Sequence, residues 1–215
     1  MVFYRKYRPQ TIDDLDNAGV RETLLSILAN PPHAFLFTGP KGLGKTSTAR
    51  IIAKVINCQN KKNGVEPCNM CDTCVSITNG TNMDVIEIDA ASNRGIDEIR
   101  DLKEKIRLAP ISAIKKVYII DEVHMLTTEA FNALLKTLEE PPEHALFILA
   151  TTESHKVPAT ILSRCFHLSF SPATEEELLR AFKRIVKAEK IEIDEEALAL
   201  IANASDRGFR DGVKL

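Results

Sequence analysis

Short apolar runs alternate with segments of helical period along most of this chain. AFLFT (34–38) is the first run. A Gly-rich turn follows, then KTSTARIIAKVI, whose Ala49, Ile52, Ala53 and Ile56 recur on one helical face. DVIEID (84–89) reads as a second strand, and IDEIRDLKEKIRL (96–108) as a helix with Ile96, Ile99, Leu102 and Ile106 turned inward. KVYIIDE (116–122) is a third strand, and TEAFNALLKTLEE a helix stopped by Pro141 and Pro142. ALFILAT (from 145) and FHLSF (166–170) complete five strands. Strands that alternate with helices predict a parallel α/β sheet covered on both faces. Near Ser171 and Pro172 the pattern turns wholly helical. TEEELLRAFKRIVKAEK opens there, with Thr174 and Glu177 in capping-box spacing. A boundary is therefore expected near residue 172. The helical module after it stops at FRDGVKL, within a helix-like segment, and is expected to be incomplete.

The 215 residues are 44% hydrophobic and 27% charged, which fits a globular chain with one good-sized core or two smaller ones. With 6% aromatic residues and no Trp, the core is expected to be mainly aliphatic. A formal charge of -2 gives no broadly basic surface of the kind that marks a nucleic-acid binder. MVFYRKYRPQ lacks an apolar run of signal-peptide length, and no stretch approaches the ~18 apolar residues of a membrane span. A cytoplasmic location follows as the expectation, and there structural disulfides are rare.

GPKGLGKT (39–46) fits G-x-x-x-x-G-K-[ST] in full, after a strand and before a helix. The loop Gly39, Pro40, Lys41, Gly42, Leu43 and Gly44 would bind the nucleotide, its glycines letting backbone N–H groups turn toward phosphate oxygens, and the helix opening at Lys45, Thr46 and Ser47 adds its positive dipole end. Lys45 would supply charge to the β- and γ-phosphates and Thr46 a hydroxyl to Mg²⁺. A bare Gly-rich turn is the competing reading. VYIIDEVH (117–124) supplies a complementary pair at a strand's carboxyl end. Asp121 would hold Mg²⁺ and Glu122 would polarise the attacking water. An exposed acidic strand end is the alternative there. A lone His124 after a strand reads as structural.

Four of the five cysteines fall at Cys58, Cys68, Cys71 and Cys74, spaced C-x₉-C-x₂-C-x₂-C. A redox pair needs only two, and a catalytic zinc would leave a position open. Four thiolates in a polar excursion suit a closed, structural Zn²⁺ site, with an iron–sulfur cluster as the weaker fit. Metal binding is expected to fold only this insertion and to leave the nucleotide site untouched.

Read together, the phosphate loop, IIDEVHML, the cysteine insertion and TILSRC closely resemble the gamma/tau family of bacterial DNA polymerase III subunits. These are clamp-loader ATPases of the AAA+ superfamily. YRKYRPQTIDDL resembles the family's RKYRP segment and NALLKTLEEPP its signature helix, so the resemblance spans essentially the whole chain. It implies a five-stranded AAA+ P-loop NTPase domain over residues 1–172 with a zinc insertion at 57–80, and a helical lid over 173–215 without the family's collar domain. It implies Arg8 and Pro9 near the adenine, and Thr151 as a sensor on the fourth strand. It also implies Arg164 as an arginine finger acting in trans on a neighbour's ATP, and Arg210 as the lid sensor, both serving catalysis beside Lys45 and Glu122. ATP, Mg²⁺ and structural Zn²⁺ follow as cofactors. Delta and delta-prime subunits, the sliding clamp and primer–template DNA follow as partners in a hetero-pentameric ring, with the isolated chain monomeric and no membrane involved. DNAGVRET (16–23) departs from the family's Val-Gly-Gln-like stretch. Three rivals are weaker. A non-hydrolysing loader subunit would have a degraded phosphate loop. The archaeal or eukaryotic small loader subunit lacks the four cysteines. A DExH helicase, suggested by Asp121 to His124, needs a second core domain.

Overall fold

The computed structural model describes residues 2–93 and 96–215, apart from the side chains of 96–100 and 103. A short helix α1 (Phe3–Lys6) and an extended strap precede α2 (Ala18–Ile27). Then come β1 (Ala34–Thr38), α3 (Lys45–Asn57), α4 (Asp72–Asn79), β2 (Val85–Asp89), α5 (Ile96–Arg107) and β3 (Lys116–Asp121). The order continues with α6 (Thr128–Glu139), β4 (Ala145–Thr151), α7 (Ala159–Leu162) and β5 (Phe166–Ser169). Three helices close the chain: α8 (Glu175–Glu189), α9 (Glu195–Ala204) and α10 (Phe209–Gly212).

All five expected strands form one parallel sheet, ordered β2-β3-β4-β1-β5. Side chains alternate across it. Phe35, Phe37, Val117, Ile119, Leu146 and Ile148 pack on one face with α2, α3, α8 and α9. Leu36, Tyr118, Ile120, Phe147 and Leu149 pack on the other with α5, α6 and α7. Burial on both faces is what the unbroken apolar runs require. Leu102 and Ile106 of α5 are buried as expected, whereas the inward placement of Ile96 and Ile99 lies outside the described residues.

The core is mainly aliphatic, as expected, although Phe35, Phe37, Tyr118, Phe147 and Phe170 are among its largest fully buried side chains. The few aromatics are concentrated where the sheet is covered twice. Phe37 packs on Phe170 with centroids 5.3 Å apart, and Tyr118 stacks on Phe147 at 5.4 Å. On α3 the expected face Ala49, Ile52, Ala53 and Ile56 is buried, and Ile51 and Val55 beside it are buried as well. The strap and α4 cover the flank that a surface helix would show to water.

The capping box of α8 forms, with Glu177 N donating to Thr174 Oγ1 (3.2 Å) and Thr174 N to Glu177 Oε2 (3.0 Å). The other Glu177 oxygen accepts from Ala18 N at 2.8 Å, so one carboxylate serves the first turns of both α8 and α2. Beyond it, Leu178, Ala181, Phe182, Leu198 and Ala202 share the first core cluster with the sheet, which seats the C-terminal helices against the body.

Candidate nucleotide site and cysteine cluster

The phosphate loop begins where β1 ends. Gly39 has φ +139, and a Cβ there would lie 2.2 Å from the Phe170 carbonyl oxygen. Only glycine allows the loop to turn so close to the chain leaving β5. Gly44, at φ +92, is the left-handed N-cap of α3. Lys45 is buried, and its ammonium donates to the Gly39 carbonyl (2.7 Å) and the Pro40 carbonyl (2.8 Å). Burial holds its pKa below the usual lysine value, against the pull of Glu122 and Asp121. Thr46 Oγ1 donates to Asp121 Oδ2 at 2.9 Å, so the two oxygens expected around Mg²⁺ are in contact across α3 and β3. A hydroxyl beside a carboxylate is the hard-oxygen pair that this ion takes.

Glu122 is held in the left-handed region (φ 49, ψ 45), an unusual conformation for a non-glycine residue. Its Oε2 accepts from the hydroxyl of Thr152 (2.9 Å) and from the Thr152 backbone N–H (3.3 Å). Thr151, fully buried at the end of β4, contacts Glu122 only through His124. Thr151 Oγ1 is 2.9 Å from His124 Nδ1, which stands 3.4 Å from Glu122 Oε2. Thr151 Oγ1 also accepts from Glu153 N (2.9 Å), leaving its proton for Nδ1, while His124 Nε2 faces Glu153 Oε1 at 3.2 Å. Sequence reasoning gave His124 no role and passed over Thr152 and Glu153. The available signal was their adjacency to residues already chosen, but the pairing itself is made by parallel strands.

A cleft of about 210 Å³ runs from Lys41–Thr48 past Asp121 and Glu122 to Tyr4, Arg8, Pro9, Leu15, Asp16, Asn17 and the C-terminal helices. Gly39 and Pro40 are not in its lining; Gly39 packs on Phe170, and the carbonyls of both hold Lys45. Asp16 and Asn17, from the stretch that departs from the family pattern, line it together with Val20. Pro9, Leu15, Val20, Ala181, Ile185 and Phe209 give its lining an apolar part. Arg210 lines it too: its backbone N–H donates to the Gly42 carbonyl (3.3 Å) and its guanidinium lies 5.2 Å over the Tyr4 ring. Burial lowers the pKa of Arg8, and the like charges of Arg50 and Arg210 lower it further. Such a cluster of cations in a concave site favours a polyanion. Asp16 bonds Arg184 of α8 at 2.8 Å, though burial still pushes its carboxyl above the usual range.

Arg164 is remote from that lining. It sits between α7 and the edge strand β5, donating to the Thr160 carbonyl at 2.6 Å and to the Glu139 carboxylate.

The four cysteine sulfurs converge, all within 4.8 Å of one another. Tetrahedral Zn–S bonds of ~2.3 Å put sulfurs about 3.8 Å apart, so the cluster fits zinc with a small contraction. Cys68 Sγ accepts from Met70 N (3.4 Å) and Cys71 N (3.3 Å), and Cys58 Sγ from Cys68 N (3.3 Å). The Met70 and Cys71 N–H groups hold the Cys68 thiol below its usual pKa, which suits a thiolate ligand. Cys58 caps the far end of α3, ~20 Å from the phosphate loop at 1.5 Å per residue.

The sheet order and the phosphate loop define a P-loop nucleotide-binding fold of the AAA+ class. Solved structures of RuvB from Thermotoga maritima share it, with a TM-score of 0.71 at 23% identity over 97% of this chain and 63% of that one. A family model described as "DNA polymerase III, delta subunit" matches residues 23–174, and the chain belongs to that family. It is 52% identical to the DNA polymerase III subunit tau of Bacillus subtilis over 99% of this chain and 38% of that protein. It is 44% identical to subunit tau of Escherichia coli over 100% of this chain and 34% of that protein. The chain thus spans little more than a third of the length of these relatives.

Proposed function

We propose that this chain is the ATP-binding and hydrolysing motor part of a bacterial DNA polymerase III clamp loader, which opens the sliding clamp and loads it on primed DNA. The observation that carries the reading is the intact loop, with Lys45 at its mouth, beside the 2.9 Å contact of Thr46 and Asp121. A non-hydrolysing subunit has no need of this pair. Residues 1–172 form the nucleotide-binding domain, the cysteines at 58–74 hold structural Zn²⁺ within the 57–80 insertion, and 173–215 form a lid. Delta and delta-prime subunits, the clamp and primer–template DNA are the partners, in the cytoplasm. Among the described residues no helix is long and apolar enough to cross a membrane.

In this reading the triphosphate lies along residues 41–47. The base lies at the apolar part of the lining, with Pro9, Leu15 and Ile185. Lys45 turns its ammonium from the Gly39 and Pro40 carbonyls to phosphate oxygen. Thr46 and Asp121 hold Mg²⁺, which neutralises phosphate charge when bound. Glu122 accepts a proton from water, with the Thr152 hydroxyl and backbone N–H fixing its carboxylate. Arg210 contacts the nucleotide from the lid, and Arg164 serves a neighbouring subunit. The test is paired substitution. Lys45→Ala abolishes detectable ATP binding, whereas Glu122→Gln keeps binding and loses hydrolysis. A Glu122→Gln protein that turns over ATP at the parent rate overturns the assignment of the base.

A further inference from the structure

The cysteine insertion is not an isolated excursion, contrary to what its sequence suggests. It is bonded to the strap of residues 8–17 by two routes. In the first, Glu66, only 7% exposed, accepts Ile12 N at one carboxylate oxygen and Asp13 N at the other, both at 3.0 Å. Its backbone is fixed by the paired bonds with Lys62 (2.7 and 2.8 Å). Lys62 and Glu66 both lie between Cys58 and Cys68, so whatever gathers those sulfurs also sets the position of this carboxylate.

The second route passes through Gln10. Asn69, held left-handed at φ 58 between Cys68 and Cys71, accepts from the buried Lys54 ammonium at 3.0 Å. The same ammonium donates to Gln10 Oε1. Thr78, whose hydroxyl is 2.9 Å from the Cys74 carbonyl, also reaches Gln10 Oε1 at 3.3 Å. Gln10 Nε2 then donates to the Arg8 carbonyl at 3.0 Å. On the opposite side α8 grips the same strap: Arg180 donates to the Asp13 carbonyl (2.9 Å) and Arg184 to that of Asp14 (3.0 Å). The strap residues Arg8, Pro9, Leu15, Asp16 and Asn17 line the cleft.

We propose that the cysteine module is a positioning element for the base of the bound nucleotide: with its metal in place it holds Glu66 and Gln10, which hold the strap that lines the cleft. This rests on the nucleotide reading above. Glu66 and Gln10 touch no ligand themselves and act as positioning residues. The prediction has a chemical signature. Phosphate recognition comes from the loop at 39–47 and α3, so loss of the module weakens a ligand that carries a base and spares one that is phosphate alone.

The experiment compares the parent chain, a Glu66→Gln variant, and parent chain stripped of metal under reducing conditions and then reloaded with Zn²⁺. Binding of ATP and of inorganic tripolyphosphate is measured by calorimetry, and amide exchange by mass spectrometry. Glu66→Gln leaves all four cysteines intact and replaces one of two acceptors by an N–H₂ that opposes the backbone donors. The expected result is metal content equal to the parent, ATP binding about tenfold weaker or more, equivalent to about 1.4 kcal/mol, and tripolyphosphate binding unchanged. Amides of Ile12 and Asp13 exchange faster, and those of β3 and β4 do not. Stripping reproduces the ATP-selective loss and reloading reverses it. Unchanged ATP affinity in Glu66→Gln overturns the proposal, and so does equal weakening of both ligands with intact sheet protection. A parent chain that binds neither ligand instead overturns the nucleotide reading itself.

Discussion

Replacing Asp84 by Asn tests how the segment before β3 is held. Asp84 is fully buried, and its carboxylate accepts three successive backbone N–H groups: Ile111 (2.8 Å), Ser112 (2.8 Å) and Ala113 (2.9 Å). The Ser112 hydroxyl adds a fourth contact at 3.3 Å. Burial alone would raise the carboxyl pKa, but the three N–H donors outweigh it and the group sits below the usual aspartate value. In Asn the charge is gone, and the amide N–H₂ faces a donor. Hydrogen bonds to a charged group contribute ~1.5–3 kcal/mol, and a buried N–H left without an acceptor costs ~1–3 kcal/mol. The relief of no longer burying a charge offsets part of this, so Asp84→Asn should cost about 2–4 kcal/mol near pH 7. Urea denaturation with an unchanged slope measures it. The pH dependence follows from the sign. A group whose folded pKa is depressed stabilises above its unfolded value of about 3.9, and that contribution is lost as pH falls through the lower folded value. The gap between parent and variant should therefore be full near pH 6 and narrow below about pH 4. A cost under ~1 kcal/mol at neutral pH, or a gap that acid leaves unchanged, refutes the reasoning.

Gly39→Ala combines a 2.2 Å clash against the Phe170 carbonyl with a φ that side chains resist, and should cost at least about 3 kcal/mol. At ~2–4 °C per kcal/mol the melting temperature drops by roughly 6–12 °C, and calorimetry finding less than ~2 °C would rule out the close approach. Arg164→Ala in an assembled ring should cut hydrolysis by ~10³ or more while ATP affinity stays near that of the parent. Mixing Arg164→Ala with Lys45→Ala subunits should restore part of the activity, and no recovery in mixed rings counts against action in trans. Elemental analysis should give one zinc per chain, lost together in any variant that removes a second cysteine.

The central strands β1, β3 and β4 were legible because each is a short apolar run bounded by turn residues, a pattern that burial on both faces imposes, whereas the edge strands β2 and β5 showed only partial burial and a mixed pattern. The phosphate loop and the acidic pair were legible for a similar reason: their chemistry depends on a fixed local spacing. The position of Gly39 outside the cleft was not, because it depends on Phe170, which lies far along the chain and is brought near by β1–β5 pairing. The same holds for Glu122. Its type and place suggested a base, but its restraint by Thr152 arises from the alignment of β3 with β4. The inward-facing set on α3 was too small, since periodicity reports one buried face and cannot register a second cover supplied by residues 8–17.

The sheet order has a consequence for how the chain is made. β1 pairs with β4 and β5 and with neither strand that follows it directly. On a ribosome, the wholly buried AFLFT segment emerges roughly 110 residues before its first partner, a wait on the order of 5–20 s at ~5–20 residues per second. The phosphate loop hangs from that unpaired strand, so nucleotide cannot steady the nascent chain early. Until residue 151 is out, this wholly buried strand is an open edge on both sides, and this is the interval in which a holding chaperone has most to protect.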